Sequence, residues 1–273
     1  MQTPSSACDT CPVHTEMARL GAVTTGVDAV VALAGNPNTG KSTLFNAVTG
    51  LRQHTGNWPG KTVTRAEGAF QFGTRRYKLV DLPGTYSLLS ASQDEEVARN
   101  FLLFGRPDCT VVVMDASAIE RNLYLALQVL EITDRVVVAV NLIDEASRRG
   151  IEVDVRSLAR DLGVPVVPIV ARTGENLMAL LTAVAGVASG ETRTTPLRTA
   201  GTADFERAVQ ELLPMIEAVA PGLPNARWVA IRLLDGDAAV EVALTSGELA
   251  ALVARQQQPD RRFSDRLALQ GAQ

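Results

Sequence analysis

The sequence is poor in aromatic residues, cysteine and histidine, and it contains no long apolar run. Aromatic residues make up 4% of the 273 residues and hydrophobic residues 46%, so the core is expected to consist mainly of Val, Leu, Ile and Ala. Three cysteines cannot all pair with one another, and a disulfide framework is not expected. No run approaches the roughly 18 apolar residues of a membrane span. The N-terminus lacks the cationic start and apolar stretch of a secretory signal, so the chain is expected to be soluble.

The charged residues are nearly balanced, with a formal net charge of −4. This balance argues against a basic nucleic-acid-binding module, and nucleic acid is not an expected partner. The length allows one or two domains.

Residues 1–28 are rich in Thr, Ser and Ala and are predicted to form a flexible extension. They contain Cys8, Cys11 and His14, whose thiolates and imidazole suit Zn²⁺ or iron. Three ligands do not close a tetrahedral site, so a fourth would come from water, from Asp9 or from another chain. The alternative is a flexible tail that carries incidental thiols.

Residues 35–42 match G-x-x-x-x-G-K-S, the pattern of a phosphate-binding loop (P-loop). An apolar β-branched run precedes the pattern and a helix-compatible segment follows it, which is the context that the motif needs. Two glycines let the backbone curl, so that consecutive N–H groups and the helix N-terminus point at phosphate oxygens. Lys41 is expected to reach the β- and γ-phosphates, and Ser42 is expected to bind Mg²⁺. The nucleotide-binding residues predicted here are Gly35, Asn36, Pro37, Asn38, Thr39, Gly40, Lys41, Ser42 and Thr43.

Residues 51–63 are rich in Gly and Pro, which predicts a loop. A threonine-bearing loop after the P-loop helix is typical of a first switch region, where Thr62 would bind Mg²⁺ and sense the γ-phosphate. The alternative for Thr62 is an ordinary threonine at the entry to the next strand. Two strands joined by a tight turn at residues 72–74 are predicted over residues 64–72 and 75–80.

The second of these strands runs into a D-x-x-G sequence that begins at Asp81 and ends at Gly84. Asp81 is expected to hold Mg²⁺ through water, and Gly84 is expected to offer its N–H to the γ-phosphate, which needs a residue without a Cβ in the way. Lys41, Thr62 and Gly84 are therefore predicted catalytic residues. Thr85 stands where Ras-like enzymes have a water-orienting Gln, so hydrolysis is expected to be slow or to position its water otherwise.

Asn141 and Asp144 form an N-x-x-D sequence after a buried strand, which fits guanine recognition. Asp144 would accept from N1–H and the 2-amino group, a donor pair that adenine lacks. Asn141 would tie this loop to the P-loop and reach N7. The alternative is an Asx-rich turn between strand and helix. Ala171 and Arg172 stand where an S-A-x sequence usually contacts guanine O6 through its backbone, although Val170 replaces the serine.

Motifs at strand ends that alternate with helices predict an α/β fold, a P-loop GTPase three-layer domain with a mostly parallel sheet. The predicted boundaries are 29–190 for this G domain and 197–262 for a small all-α domain, with a polar linker at 190–196 and a tail at 263–273. Further predicted elements are helices at 90–104, 119–132, 154–162, 175–187, 203–218 (interrupted by Pro214), 226–234 and 246–257, and strands at 109–114, 135–140 and 164–170, the last near an edge.

The chain resembles the cytosolic N-terminal region of FeoB-type ferrous-iron transporters. The stretches that carry the resemblance are GNPNTGKS (35–42), GNWPGKTV (56–63), DLPGTYSL (81–88) and RWVAIRLLDGD (227–237). The Asn-Trp-Pro-Gly switch is quite specific to that family, and the match covers about residues 30–260. Val170 and the N-terminal Cys/His tail depart from the family pattern.

The resemblance implies a GTPase (G) domain that regulates Fe(II) uptake, a helical domain that inhibits nucleotide dissociation, and a downstream membrane domain. It implies that these domains lie at the cytoplasmic face of the inner membrane in the full protein, and that this chain is a soluble fragment of it. It also implies K⁺ as a cofactor besides GTP/GDP and Mg²⁺. Asn38 would coordinate K⁺ through its side chain as a further catalytic residue, with the carbonyls of Gly56 and Trp58. The alternative is that Asn38 only hydrogen-bonds within the P-loop.

A second function remains open, that of a soluble ribosome- or RNA-associated assembly GTPase. The acidic charge balance disfavours it, and the tryptophan-bearing switch and the helical appendage favour the transporter. Small accessory transport proteins and a second copy of the chain are left open as partners.

Overall fold

The computed structural model describes residues 26–51, 53–89, 92–198, 201–223 and 225–257. A seven-stranded sheet has the order β2-β3-β4-β1-β5-β6-β7. The strands are β1 (Ala29–Gly35), β2 (Gln53–Asn57), β3 (Thr64–Phe72), β4 (Arg75–Asp81), β5 (Cys109–Asp115), β6 (Val136–Asn141) and β7 (Val166–Pro168). The five strands from β4 to β7 in this order pair in parallel, whereas β2 and β3 extend the sheet antiparallel at one edge. The predicted three-layer α/β fold is confirmed.

Ten α-helices accompany the strands in the described part of the chain. They are α1 (Lys41–Thr49), α2 (Gln93–Asn100), α3 (Ile119–Ile132), α4 (Ile143–Arg148), α5 (Val155–Leu162), α6 (Leu177–Ser189), α7 (Ala203–Val219), α8 (Ala226–Leu234), α9 (Ala238–Thr245) and α10 (Glu248–Gln257). The last four form the helical part that follows the sheet domain. None of the helices in the described ranges is long and apolar enough to cross a bilayer.

The central strand β1 is buried on both faces, and its side chains alternate between two apolar cores. Val30 and Ala32 face the larger core, whereas Val31 and Leu33 face the smaller one. This alternation follows from the two-residue period of a strand, and helices on both sides remove both faces from water. The strand ends that carry the motifs are therefore held by the most deeply buried part of the fold.

Several elements lie at the bounds predicted for them. The prediction of a loop over residues 51–63 is wrong in part. The structure forms helices at Ile119–Ile132 and Ala226–Leu234 as expected, and a β3–β4 hairpin. Residues 53–57, however, form an edge strand paired antiparallel with β3. The sequence QHTGN has no apolar alternation, so ladder hydrogen bonds alone define this strand.

The helical predictions need three corrections. The helix predicted at 90–104 is α-helical only over Gln93–Asn100 and continues as a π-helix over Phe101–Gly105. Pro214 does not interrupt α7, because the buried Val209 and Ile216 hold the helix on either side of it. A helix at Ala238–Thr245 was not predicted, and its N-terminus is capped by the side chain of Asp237.

The polar linker after α6 lies flat on the sheet domain. Thr195 N–H donates to the Gly163 carbonyl at 3.0 Å, and Leu197 N–H donates to the Leu162 carbonyl at 2.9 Å. A Cβ on Gly163 would lie 1.9 Å from the Thr195 carbonyl oxygen, so the backbones are in direct contact. Arg198 pairs with Asp134 on the same domain. The linker is thus fixed through residue 198.

The helical part packs against α2 and the π-helix that continues it, and Asn225 donates to the Ile132 carbonyl at the end of α3. Its buried Trp228, Val229 and Leu249 belong to the same apolar core as Val97 and Phe101. Arg99 on α2 is only 3% exposed. Burial lowers the pKa of Arg99, and the carboxylates of Glu96, Asp237 and Glu248 oppose that shift. Helix α2 therefore shares an apolar core with the helical part, and the charges of Asp237 and Glu248 from that part act on the buried Arg99.

Candidate functional site

The P-loop connects β1 to α1 with little freedom for substitution. Gly40 has a left-handed backbone (φ 79°), and a Cβ there would lie 2.3 Å from the Nδ2 of Asn141. A Cβ on Gly35 would lie 2.7 Å from the Val113 carbonyl oxygen. Asn38 is also left-handed (φ 67°), a conformation that Asn adopts more readily than most residues. The loop geometry thus explains why glycine stands at positions 35 and 40 and why Asn is tolerated at position 38.

Lys41 is buried at the start of α1 and is held by the D-x-x-G segment. Its ammonium donates to the Asp81 carboxylate and, at 2.7 Å, to the Leu82 carbonyl oxygen. Burial raises the pKa of Asp81, and the neighbouring Lys41 charge opposes that rise. The two charges expected to serve phosphate and Mg²⁺ therefore neutralise each other in this structure.

Two further P-loop side chains are buried, and two others are exposed. Asn36 is 1% exposed, and neither its Oδ1 nor its Nδ2 has a hydrogen-bond partner among the described residues. Thr39 donates its hydroxyl to the Asn36 carbonyl at 2.9 Å. Ser42 and Thr43 lie exposed in the first turn of α1, where a hydroxyl can meet a ligand directly.

Asn141 joins the three loops of the site. It is 1% exposed, its Nδ2 donates to the Thr39 carbonyl at 2.9 Å, and its Oδ1 accepts from the Ala171 N–H at 2.9 Å. One side chain thus fixes the ends of β1, β6 and β7 relative to one another. The tie expected between this residue and the P-loop is present.

Asp144 has one satisfied carboxylate oxygen and one unsatisfied oxygen. Its Oδ2 accepts from Arg148 at 3.0 Å and lies 3.5 Å from the Arg172 guanidinium. Its Oδ1 is buried and has no hydrogen-bond partner among the described residues. A buried acceptor without a donor is costly, and a ligand with paired N–H donors would satisfy it.

The D-x-x-G segment also lies against the P-loop. Thr85 N–H approaches the Gly35 carbonyl at 3.4 Å, and Thr85 is buried. A Cβ on Gly84 would lie 3.5 Å from Pro37, which is an ordinary contact. The protein itself therefore does not require glycine at position 84, and any need for it must come from a ligand.

Residues 58–63, the part of the predicted switch region that follows β2, are called the first switch segment. This segment is docked on α2 rather than on the P-loop. Trp58 is buried, and its ring meets that of Phe101 edge-on at 5.4 Å. Lys61 pairs with Glu96, and the Thr62 hydroxyl donates to the Gln93 Oε1 at 3.3 Å.

No hydrogen bond joins Thr62 to Ser42 or Asp81, all three of which lie in the described ranges. The structure thus brings together the predicted residues of the P-loop, of the D-x-x-G segment and of the loops after β6 and β7, which are called the base-side loops. Thr62 lies apart from them. The Trp58 carbonyl accepts from the Lys61 N–H at 3.0 Å.

Sequence reasoning missed Gln93 and Glu96, because polar residues in a first helical turn are also ordinary capping and dipole partners. The proposed metal ligands Cys8, Cys11 and His14 lie outside the described residues. Within the described ranges there is no group of three or more metal-binding His, Cys, Asp or Glu side chains.

Two family models match the chain. "Ferrous iron transport protein B" matches residues 29–184, and "FeoB cytosolic helical domain" matches residues 202–267. The Fe(2+) transporter FeoB of Escherichia coli strain K12 is 39% identical over 217 residues, and that of Salmonella typhimurium strain LT2 is 40% identical over the same length. These alignments cover 76% of this chain but only 27% of each relative, so the chain spans about a quarter of the curated relatives' length.

Solved structures agree with this assignment. The cytosolic domain of L. pneumophila FeoB has a TM-score of 0.72 at 34% identity and covers 85% of this chain and 90% of that one. The cytosolic domain of T. maritima FeoB in a GDP form has a TM-score of 0.73 at 34% identity, with 84% and 92% covered. From the family-model matches, the sequence identity and the common fold together, we conclude that this chain belongs to the FeoB family and corresponds to its cytosolic G domain and helical domain.

Proposed function

We propose that this chain binds GTP and GDP with Mg²⁺ and hydrolyses GTP to GDP and phosphate, as the cytosolic part of a ferrous-iron transporter. The observation that carries the proposal is the buried Oδ1 of Asp144, which has no partner within the described part of the chain and lies on a loop that Asn141 ties to the P-loop. A guanine base offers N1–H and the 2-amino group side by side, which are the donors that this carboxylate lacks. Family membership favours this function over the RNA-associated alternative.

The base is held by the loops after β6 and β7. Asp144 reads the two donors of guanine, and the exposed Arg172, which lies beside this carboxylate, covers the base from the solvent side. Asn141 positions the loops through one Nδ2 hydrogen and its Oδ1, and the second Nδ2 hydrogen is the donor that we assign to guanine N7. The Ala171 N–H already donates to this amide and so fixes the loop, and the backbone N–H of Arg172, the next residue, is the group we assign to guanine O6.

The phosphate side works by an exchange of partners. Lys41 would exchange Asp81 for the β- and γ-phosphates, and the Asp81 carboxylate would then be available to hold Mg²⁺ through water. The exposed hydroxyl of Ser42 would hold the Mg²⁺ ion, and the hydroxyl of Thr62 would join it after the switch segment moves. Mg²⁺ would neutralise charge on the phosphate oxygens, and the N–H of Gly84 donates to the γ-phosphate.

Water forms a bond to the γ-phosphorus as the bond from that phosphorus to the β–γ bridging oxygen breaks, so that GDP leaves and the proton of the water ends on the phosphate product. Thr85 cannot orient that water as a Gln amide does, and we therefore propose slow turnover. Most of the remaining P-loop residues line the phosphates through their backbone N–H groups, namely Gly35, Asn36, Asn38, Thr39, Gly40 and Thr43. Pro37 has no N–H and contributes only to the shape of the loop.

We further propose stimulation by K⁺, held by the Asn38 side chain and the carbonyls of Gly56 and Trp58. Asn38 is exposed on the P-loop, so its amide can reach a ligand. The Trp58 carbonyl accepts one hydrogen bond, from the Lys61 N–H, which leaves its second lone pair for a cation. A fixed positive charge at the developing phosphate charge would replace the missing glutamine.

The K⁺ test is single-turnover GTP hydrolysis in KCl and in NaCl at equal ionic strength. Asn38→Gly is a better variant than Asn38→Ala, because glycine keeps the left-handed backbone and removes only the side-chain amide. We expect K⁺ stimulation of the parent and little in the variant. Equal rates in the two salts for the parent would exclude the cation mechanism.

The base-reading test is Asp144→Asn, with Asp161→Asn as a control that removes an exposed carboxylate elsewhere. Leaving the guanine donors unpaired costs about 1–3 kcal/mol, so GTP affinity should fall roughly 10- to 100-fold while xanthosine triphosphate affinity rises. Titration with fluorescent analogues of both nucleotides measures this. Parental GTP affinity in Asp144→Asn would contradict the proposal.

The chemistry test uses Lys41→Ala and Thr62→Ala. Lys41→Ala should abolish binding or hydrolysis because it removes the charge at the phosphates. Thr62→Ala should bind nucleotide almost normally and hydrolyse it slowly, because the switch threonine acts once the γ-phosphate is clamped. Equal turnover in Thr62→Ala and the parent would remove Thr62 from the mechanism.

We also propose that the G domain, at residues 29–190, and the helical domain, at residues 197–262, regulate Fe(II) passage through a membrane domain of the full protein. This places them at the cytoplasmic face of the inner membrane. Accessory proteins and self-association are compatible with this arrangement. Co-purification of the full-length gene product with membranes tests the location, and recovery only in the soluble fraction would contradict it.

A further inference from the structure

We propose that Lys61 and Glu96 form a latch that holds the first switch segment on α2 and slows GTP hydrolysis. The latch is an ion pair between Lys61 of that segment and Glu96, the fourth residue of the helix. It would have to open before Thr62 can take part in the reaction. This inference rests on the proposed role of Thr62 and concerns what opposes it.

The contact is specific in its geometry. The Lys61 ammonium donates to both carboxylate oxygens of Glu96, at 3.0 and 2.8 Å. The two side chains are only 33% and 27% exposed, so water screens the pair incompletely. One turn earlier on the same helix, Gln93 accepts the hydroxyl hydrogen of Thr62. Adjacent switch residues are thus bound to positions i and i+3 of α2.

Trp58 anchors the other end of the segment. It is 4% exposed, it packs on Phe101 at the start of the π-helix, and the Arg65 guanidinium lies over its ring at 5.7 Å. Its indole Nε1 is buried without a hydrogen-bond partner among the described residues, so this docking is apolar. The ion pair is the charged contact that holds the segment beside the threonine.

Assembly of the reaction site therefore competes with the latch. Thr62 makes its hydrogen bond to α2 and none to Ser42 or Asp81. A Mg²⁺ ion and a γ-phosphate must draw the threonine away from Gln93, and the neighbouring ion pair resists that movement. Removing the ion pair leaves the reacting groups unchanged and lowers the free energy needed to release the switch segment from α2. It should therefore raise the rate of GTP hydrolysis.

Helix α2 also binds Ser87, three residues after the D-x-x-G segment, whose hydroxyl donates to Glu95 at 2.7 Å. The buried Arg99 lies on the same helix, on the side of the helical part. Glu96 acts on the charge of Arg99, whereas Lys61 is not among the groups that do so. Lys61→Gln is therefore the cleaner opening variant, and Glu96→Gln is the complementary one.

The experiment compares Lys61→Gln and Glu96→Gln with Asp94→Asn, all in a Trp228→Phe background that leaves Trp58 as the only tryptophan. Asp94 lies in the same first turns of α2 and is exposed, so its substitution removes an equal charge from the helix without touching the latch. Acrylamide quenching of Trp58, without nucleotide and with GDP, reports release of the segment. Single-turnover hydrolysis of GTP reports the rate.

Both opening variants should show greater quenching of Trp58 and a hydrolysis rate raised about two- to fivefold, which is the range expected for a partly exposed pair. Asp94→Asn should show neither effect. The exchanged pair Lys61→Glu with Glu96→Lys should return both readouts toward the parent. A mere loss of fold would lower the rate, and circular dichroism melting identifies it.

Unchanged quenching in Lys61→Gln, or a rate that stays equal or falls in a folded variant, would overturn the latch. Failure of the proposed function looks different, because the parent itself would then not hydrolyse GTP. Quenching without nucleotide still decides in that case whether the ion pair holds the segment.

Discussion

Replacing Asn141 by Ala should both destabilise the fold and weaken nucleotide binding. The side chain is 1% exposed and satisfies two backbone groups, the Thr39 carbonyl and the Ala171 N–H, each at 2.9 Å. Alanine leaves both groups without this partner in a buried place. Each unsatisfied group costs about 1–3 kcal/mol, so the free energy of unfolding should fall by about 2–6 kcal/mol, toward the lower end if water enters.

Asn122 supplies a matched control. It is also 1% exposed, donates to the Ala118 carbonyl at 2.7 Å and accepts from the Asp115 N–H at 3.3 Å. Its two hydrogen bonds stay within one strand-to-helix connection, whereas those of Asn141 join three loops. Asn122→Ala should therefore cost similar stability with little effect on nucleotide affinity.

The assay combines urea unfolding, which gives the free energy, with titration of a fluorescent GDP analogue at a temperature where both variants are folded. Asn141→Ala should lose at least tenfold in affinity beyond Asn122→Ala, because the P-loop and the base-side loops are no longer held in register. Parental affinity in Asn141→Ala, or an equal loss in Asn122→Ala, would refute the reasoning.

Three further predictions concern the rest of the fold. The Arg227 guanidinium hydrogen-bonds to Glu206 and holds its pKa at about 2, so this contact stabilises the protein above about pH 4.5 and the contribution is lost as the pH falls toward 2. The difference in Tm between the parent and Glu206→Gln should shrink over that range, and a constant difference would contradict it. Burial raises the pKa of the Cys109 thiol, which should therefore not react with a thiol reagent until the protein is unfolded; rapid modification in a Cys8→Ser, Cys11→Ser variant would contradict this. Pro214→Ala at an exposed position inside α7 should raise stability by about 1–3 kcal/mol, less the entropy that proline removes from the unfolded chain, and an unchanged or lower Tm would count against it.

The sequence was sufficient to predict the sheet domain and the residues at its strand ends. Buried strands such as β5 are continuous apolar runs, and the motifs that follow them have fixed spacing, so their order predicts the fold. Strand β2 could not be predicted, because pairing with β3 rather than side-chain alternation defines it. The cap of α9 at Asp237 was a readable signal, whereas the continuity of α7 through Pro214 depends on packing that local propensity opposes.

In the site, too, some features follow from sequence motifs and others depend on tertiary contacts. The tie from Asn141 to the P-loop follows from motif register, and the structure contains it. The placement of Thr62 on α2 depends on Gln93 and Glu96, which lie about thirty residues away and belong to no motif. A switch segment can occupy more than one position, and its sequence specifies the groups that it carries but not which position is adopted. The roles of the site residues toward nucleotide and ions remain predictions.

The fixed linker has a consequence for how the helical part associates with the sheet domain. Because residues 192–198 follow the surface and Leu197 is hydrogen-bonded to Leu162, the chain entropy of joining the two parts is already lost within the linker. A short flexible tether gives an effective concentration of the order of millimolar, and a fixed one gives more. The helical part, added as a separate fragment, would therefore need at least about millimolar concentration to occupy the surface of α2 as fully as it does within one chain.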